Sequence, residues 1–500
     1  MALWNFVWKS AYHDSVTLMR LTRDMEAAPG VSRAAAMMGT PANRALLREA
    51  GLLTSEGEAA AATDLVIAVA AGDAEAARAT EAAARAALAA RPVEAPAGRT
   101  AARPRTLASA LQAMPEATLA LVSVPGLYAG AEARKALRAG LHVMLFSDNV
   151  PLDTEIALKR EARERGLFLM GPDCGTAIID GVPLGFANAV PRGRIGIAAA
   201  SGTGLQEVAC LIAAAGEGLS HAIGVGGRDL SDEVGGLMME QALAALAADP
   251  ATEVICVIGK PPGPAVARRL EARVPALGKP CVLGFLGAGP AATLETAAQA
   301  AVALARGEKP SRVEFTLPTA EVERLVTGAA RRLAAGQRFV RGVYSGGTLA
   351  WEAVYLLTAA LADVTPGVTG AGSGHRVVDL GEDIFTVGRP HPMIDGTVRR
   401  QWIEKEGSDP STAVLLLDVV LGYGAHPDPA GELLPAIEAA RAAARTRGGD
   451  LAVVASVTGT DADPQGRPAQ VAKLLQRGVV VMPSNAQAAR LAAKVAATGA

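Results

Sequence analysis

The sequence predicts an α/β protein built from several parallel-sheet domains. Short apolar β-type runs alternate repeatedly with longer Ala-rich helical stretches. That alternation is the signature of parallel strands whose crossover helices cover both sheet faces. The apolar share is 50%, yet the chain holds only 4 Trp, 5 Tyr and 8 Phe. Its cores must therefore be assembled from Ala, Leu and Val.

The elements follow in order. Residues 1–100 read β-α-β-α-β-α, which suits a small α+β domain, with a strand over 64–70 before a helix over 74–90. The stretch 91–105, rich in Pro, Ala and Arg, reads as a linker. A second domain, 106–190, holds strands at 118–124, 141–146 and 167–170, with helices at 129–139 and 154–165. A third, 191–312, holds strands at 194–199, 254–258 and 280–285, with a helix at 204–215. A helix at 318–335 leads to a fourth domain, 336–500, with strands at 413–420, 451–457 and 478–482.

Charge excludes some functions. With 48 basic against 50 acidic residues, the net charge is −2, too weak a field for a nucleic acid or an acidic membrane. Basic and acidic residues alternate along the helices, as on solvated faces. No signal peptide is apparent near Met1, and no uncharged apolar run approaches the ~18–20 residues of a membrane span. Cys174, Cys210, Cys256 and Cys281 are scattered without zinc spacing. A reduced cytoplasmic chain without a metal is the expectation.

Two Ser-Gly turns carry the strongest chemical signal. Ser201-Gly202-Thr203-Gly204, with Glu207 in the following helix, recurs as Ser345-Gly346-Gly347-Thr348 with Glu352, 144 positions later. Each follows a strand and opens a helix, where free N–H groups and hydroxyls suit phosphate or carboxylate. Ser and Thr also cap helices without binding anything; it is the repetition that favours anion binding. Neither turn is a Walker A loop.

Other candidates stand at strand ends, where open parallel sheets bind ligands. These are Asp148 and Asn149, then Pro172, Asp173, Cys174, Gly175 and Thr176, then Gly226, Gly227 and Arg228. Cys174 has no neighbouring base and suits packing or ligand lining better than covalent catalysis. Arg228 offers a fork for a carboxylate or phosphate. Between residues 379 and 395 lie four carboxylates, Arg389 and His391. Glu382, Asp383, Arg389, His391 and Asp395 are taken from this stretch as ligand-site candidates. Thr40 caps a helix with Pro41 at its first turn; that capping leaves Asn43 unexplained, and both Thr40 and Asn43 are kept as candidates.

These motifs resemble the succinyl-CoA synthetase superfamily. Val124-Pro125, the Gly171-Pro172-Asp173-Cys174 loop, Ser201-Gly202-Thr203 and Val225-Gly226-Gly227 look like its α subunit. Residues from about 376 to 497 look like the C-terminal domain of its β subunit. More closely, nearly the whole chain is similar to the FdrA proteins. Residues 37–43, 146–149, 171–176, 221–230, 344–349, 386–395 and 415–420 follow that pattern.

The resemblance implies Rossmann-like and flavodoxin-like domains of synthetase type behind a small α+β domain. Residues 106–190 would be CoA-binding-domain-like, 191–312 α-type and 336–500 β-type. The α subunit's phosphohistidine would follow Phe285, yet no His occurs before His375. CoA ligation is weakened on that ground, and no cofactor is expected. The FdrA family is similar to one subunit of oxamate carbamoyltransferase, assembled with two unrelated subunits in allantoin breakdown. That enzyme converts oxalurate and phosphate to oxamate and carbamoyl phosphate. In that reading the Ser-Gly turns hold phosphate, and Arg228 or Arg389 holds the carboxylate. The alternatives are an acyl-CoA synthetase, an acyl-phosphate transferase, or a non-catalytic scaffold or ligand-sensing subunit.

Overall fold

In the computed structural model, residues 2–13, 15–89, 104–367, 374–386 and 390–498 are described. They form two compact units. One comprises residues up to 117 with the short segments 123–125 and 383–390; the other holds the rest.

The first unit is built on an antiparallel sheet of three strands, β1 (Ala2–Trp8), β2 (Val31–Met38) and β3 (Leu65–Ala71), in the order β1-β3-β2. The central strand reads Leu-Val-Ile-Ala-Val-Ala-Ala and is buried on both faces. Alternation sends Leu65, Ile67 and Val69 toward Leu18, Leu21 and Met25 of helix Ser15–Glu26. Val66 and Ala68 meet Leu47 of helix Pro41–Glu49 on the other face. Thr40 caps that helix by accepting the Asn43 amide at 3.2 Å. The Asn43 side chain, unexplained by capping, donates to the Met38 carbonyl at 2.9 Å and closes the turn.

The second unit contains three sheets. The smallest is parallel: β4 (Leu119–Val122), β5 (His142–Leu145) and β6 (Leu169–Met170), ordered β4-β5-β6. The next contains an antiparallel hairpin, β7 (Thr176–Ile179) and β8 (Val182–Gly185). Its turn places both Asp180 and Gly181 at positive φ, which suits an Asp-Gly pair. That hairpin edges the parallel strands β9 (Arg192–Ala200), β10 (Leu219–Gly224), β11 (Val254–Gly259) and β12 (Cys281–Phe285), in the order β12-β11-β9-β10-β7-β8. The last sheet holds β13 (Phe339–Tyr344), β14 (Val364–Pro366), β15 (His375–Asp379), β16 (Thr412–Val420), β17 (Ala452–Thr458) and β18 (Val480–Met482), in the order β14-β15-β13-β16-β17-β18.

In both large sheets the first parallel strand lies between two later ones, β9 between β11 and β10 and β13 between β15 and β16. This flavodoxin-like order puts a topological switch point at the carboxyl end of that strand. The Ser201 turn leaves β9 and the Ser345 turn leaves β13. Helix Gly202–Ala214 packs on helices Leu294–Ala305 and Gly347–Ala360, and the latter packs on helix Asn485–Thr498. One apolar core runs through these helices into both sheets, including Leu205, Ile212, Leu294, Leu349 and Leu491. None of the described helices is long and apolar enough to cross a membrane.

Candidate functional site

The two Ser-Gly turns meet. Ser201 Oγ and Thr348 Oγ1 share a hydrogen bond of 2.7 Å, and a Cβ on Gly346 would stand 3.0 Å from Thr203. Two helix N-termini therefore face each other across the junction of the two large sheets. First-turn amides have no intrahelical partner, and the dipoles of both helices favour an anion between them.

The turns differ in what they already hold. Ser201 accepts the Gly204 amide at 2.9 Å and so caps its own helix. Ser345 turns inward: its amide and hydroxyl donate to the Asp418 carboxylate at 2.9 and 3.0 Å, and the Gly346 amide donates at 2.8 Å. The second cradle thus binds an internal anion. Arg399, from helix Thr397–Ser408, neutralises it with an Nη2–Oδ1 contact of 2.6 Å. The first-turn amides of Gly202, Thr203, Gly347 and Thr348 have no intrahelical partner, whereas the donors of Ser345 are spent on Asp418.

The loops on the first half converge with the Ser201 turn. Gly224 and Gly226 lack side chains because the 171–176 loop lies against them: a Cβ at Gly226 would be 2.6 Å from the Pro172 carbonyl, and one at Gly224 would meet Cys174 Sγ at 2.6 Å. The Asp173 amide donates to Ser147 O at 3.0 Å, beside Asp148 and Asn149, whose side chains are exposed. Thr176 Oγ1 lies 3.5 Å from where a Gly202 Cβ would be, but it donates to Phe186 O at 2.7 Å. Gly175 and Gly227 leave room around their Cα atoms. Burial pushes the Cys174 thiol up to about 12, so it carries no thiolate at neutral pH.

Arg228 is already engaged. Its Nε lies 2.8 Å from Glu155 Oε2 and its Nη2 donates to Val150 O at 2.7 Å. Glu155 also holds Lys159, and Lys159 holds Asp229, each at 2.8 Å, all three fully buried. A charge left alone there would be costly, so the network is self-consistent only as a set.

On the second half, Asp379 ends β15 and accepts the Gly381 amide at 2.8 Å. A Cβ on Gly347 would collide with its carboxylate. Burial pushes this carboxyl up to about 6, with Glu382 and Asp418 adding to the rise against Lys260. His391 stands beside Gly381 and its ring centroid lies 6.0 Å from that of Phe186. Burial pushes its imidazole down to about 4, so it is neutral at physiological pH. Asp395 accepts the Thr397 amide at 2.8 Å, just ahead of the next helix. The side chain of Asp383, and all of Arg389, lie outside the described residues. Thr40 and Asn43 belong to the first unit.

Residues the motif reading passed over complete the picture. Ladder register pairs Gly259 with Ala200, which sets Lys260 level with Ser201 at the switch point. Tyr344 pairs with Asp379, and Val343 with Leu417, so Asp379 and Asp418 flank the residue before the Ser345 turn. Asp418 had a signal, as the one charge in the apolar strand Thr-Ala-Val-Leu-Leu-Leu-Asp-Val-Val.

Behind the junction, two buried carboxylates each cap a helix of the opposite half. Glu207 accepts the Asn485 amide at 3.0 Å at the start of helix Asn485–Thr498. Glu352 accepts the Leu294 amide at 2.7 Å at the start of helix Leu294–Ala305, and Asn485 Nδ2 at 2.8 Å. The sequence echo therefore corresponds to a reciprocal arrangement.

Comparison with known proteins now places the chain. The CoA-ligase model matches residues 343–495 and the CoA binding domain model residues 192–286. A model described as AllF, heavy metal-associated domain, matches residues 1–104. The 34% identity to the α-2 subunit of the ADP-forming succinate–CoA ligase of Trichomonas vaginalis spans 150 residues, 29% of this chain and 47% of that subunit. The ATP citrate lyase structure from Methanothrix soehngenii, in complex with citrate and coenzyme A, is 18% identical over 45% of each chain, with a TM-score of 0.34. The matches to the CoA-ligase and CoA binding domain models define a succinyl-CoA-synthetase-like protein. Its similarity to the uncharacterized protein YahF of Escherichia coli (strain K12) is 40% identity over 503 residues, 97% of this chain and 96% of YahF. The chain belongs to that FdrA/AllF-like family.

The heavy-metal label does not fit the residues present. Residues 1–104 contain no Cys, and among the described residues no group of three His, Cys, Asp or Glu could hold an ion. A soft metal needs thiolate or imidazole donors, and residues 1–104 supply no thiolate.

Proposed function

We propose that the chain is a subunit of an oxamate carbamoyltransferase complex, converting oxalurate and phosphate to oxamate and carbamoyl phosphate in allantoin breakdown. The carrying observation is the 2.7 Å contact between Ser201 and Thr348, which sets two helix N-termini on one point. A phosphate there is held by the amides of both first turns. The family membership and the AllF-type match over residues 1–104 support the choice of reaction.

In this reading a phosphate oxygen attacks the ureido carbonyl carbon of oxalurate. The bond from that carbon to the inner nitrogen breaks. The proton of the hydrogenphosphate ends on the oxamate amide nitrogen. The chain contributes positioning and charge stabilisation, because preorganised N–H donors need no reorganisation as charge develops. Neutral His391 is not the cation that holds the phosphate. Two unrelated subunits complete the cytoplasmic complex. CoA has no role in this scheme.

The test is oxamate-dependent release of phosphate from carbamoyl phosphate by the reconstituted complex, lost when this chain is omitted. No release from the complete complex would refute the reading. The matches to CoA-ligase models over 192–286 and 343–495 favour a second reading, an acyl-CoA synthetase or acyl-phosphate transferase. Thioester formation from an acyl phosphate and CoA would establish it.

A further inference from the structure

We propose that the cavity between the 227–233 and 260–263 loops binds a small carboxylate carrying amide N–H groups, with Lys260 as its cation. The proposal deepens the function above and rests on it only for the ligand's identity.

The cavity has a volume of about 470 Å³ and is walled by Gly227, Arg228, Ser231, Glu233, Lys260 and Pro262, among others. Small-molecule sites span roughly 300–1,000 Å³. Both loops leave the carboxyl ends of strands, β10 and β11, which lie on either side of β9. The cavity therefore adjoins the switch point from which the Ser201 turn departs.

The lining can be sorted by what is already committed. Asp232 accepts the Ala265 and Val266 amides at 3.0 and 3.2 Å and caps helix Pro264–Arg273. Ser231 Oγ accepts the Val234 amide at 3.2 Å. The Arg228 guanidinium is fixed by Glu155 and Val150, yet its side chain stays 48% exposed. Lys260 is exposed and enters no ion pair among the described residues. Glu233 is likewise exposed and uncommitted.

One uncommitted cation, Lys260, beside the exposed part of Arg228, and one acid thus remain for a ligand. The cation demands an anionic group, and Glu233 accepts N–H donors. Oxalate satisfies only the cation and acetamide only the acid, whereas oxamate satisfies both. Lys260 also lies within electrostatic reach of Asp379, on the strand that borders the Ser345 turn. Ladder register also sets Lys260 level with Ser201.

The experiment follows thermal unfolding of the full chain in oxamate, oxalate and acetamide, since a ligand selective for the folded state raises the melting temperature. Wild type should be stabilised most by oxamate. Lys260→Met, which keeps the aliphatic stem, should unfold at the wild-type temperature without ligand and bind oxamate at least tenfold more weakly. Glu233→Gln should lose the preference for oxamate over oxalate. No shift with oxamate, or an undiminished shift in Lys260→Met, overturns the site. Lys260-dependent oxamate binding without carbamoyl transfer by the complex would retire the function and keep the site. Carbamoyl transfer with an unchanged KM for oxamate in Lys260→Met would do the reverse.

Discussion

Ser345 gives its amide and hydroxyl to Asp418, at 2.9 and 3.0 Å. The Ser345 turn thereby spends these donors on the protein's own carboxylate. The two turns of like sequence therefore differ: Ser345 and the Gly346 amide are spent on Asp418, whereas Ser201 caps its own helix through the Gly204 amide.

Replacing Asp418 by Ala should leave Arg399 buried without its partner. Removing one member of a buried pair costs about 3–5 kcal/mol. Chemical denaturation should show that loss, and phosphate should restore part of it by entering the vacated cradle. Equal phosphate effects on wild type and Asp418→Ala would contradict the assignment.

Ser201 and Thr348 should be energetically coupled. Ser201→Ala removes a helix cap and one hydrogen bond, costing about 1–2 kcal/mol. Thr348→Val removes the same bond from the other side. A double-mutant cycle measured by urea unfolding should return a coupling of about 0.5–1.5 kcal/mol; additive effects would mean that the turns do not touch in solution.

Glu352 makes a pH prediction. Burial pushes its carboxyl up to about 8, from the usual 4.5, so the folded protein binds a proton that the unfolded chain releases. The stabilising contribution is present below pH about 4.5 and is lost as pH rises toward about 8. Glu207, also raised by burial, adds the same sign. Stability from pH 4.5 to 8 should therefore fall more steeply in wild type than in Glu352→Gln. The difference should be a few kcal/mol, and parallel curves would refute it.

Cys174 should be chemically quiet. Its thiol, pushed up to about 12, should resist iodoacetamide at pH 8 in the folded protein and react only after unfolding. Alkylation at the rate of a free thiol would contradict the burial.

The architecture was largely legible. Continuous apolar strands such as Val254–Gly259 and Ala452–Thr458 announce buried parallel sheets, and the Ser-Gly echo located both switch points. Helix starts were read late: helix Gly202–Ala214 begins directly after Ser201, because Ser caps it and the two glycines belong to its first turn. The β7–β8 hairpin escaped because its strands are only 4 residues each. The site was half legible. Which turn would hold Asp418 could not be read, since Asp418 lies 73 positions from Ser345 and meets it only through strand pairing. Nor could Arg228, 73 positions from Glu155, be seen as engaged. Lys260 lacked any motif and is visible only through its register with Ser201.

The central claim is that the facing helix N-termini hold phosphate. Gly202→Asp tests it most directly. A Cβ at Gly202 meets only Thr176 Oγ1, at 3.5 Å, and an acid in a helix's first turn is favourable, so the variant should fold. Its carboxylate should repel phosphate from the amides. Isothermal titration calorimetry should show one phosphate per chain for wild type and none for Gly202→Asp, at an equal or higher melting temperature. Phosphate binding unchanged in Gly202→Asp, or absent from wild type, would contradict the account.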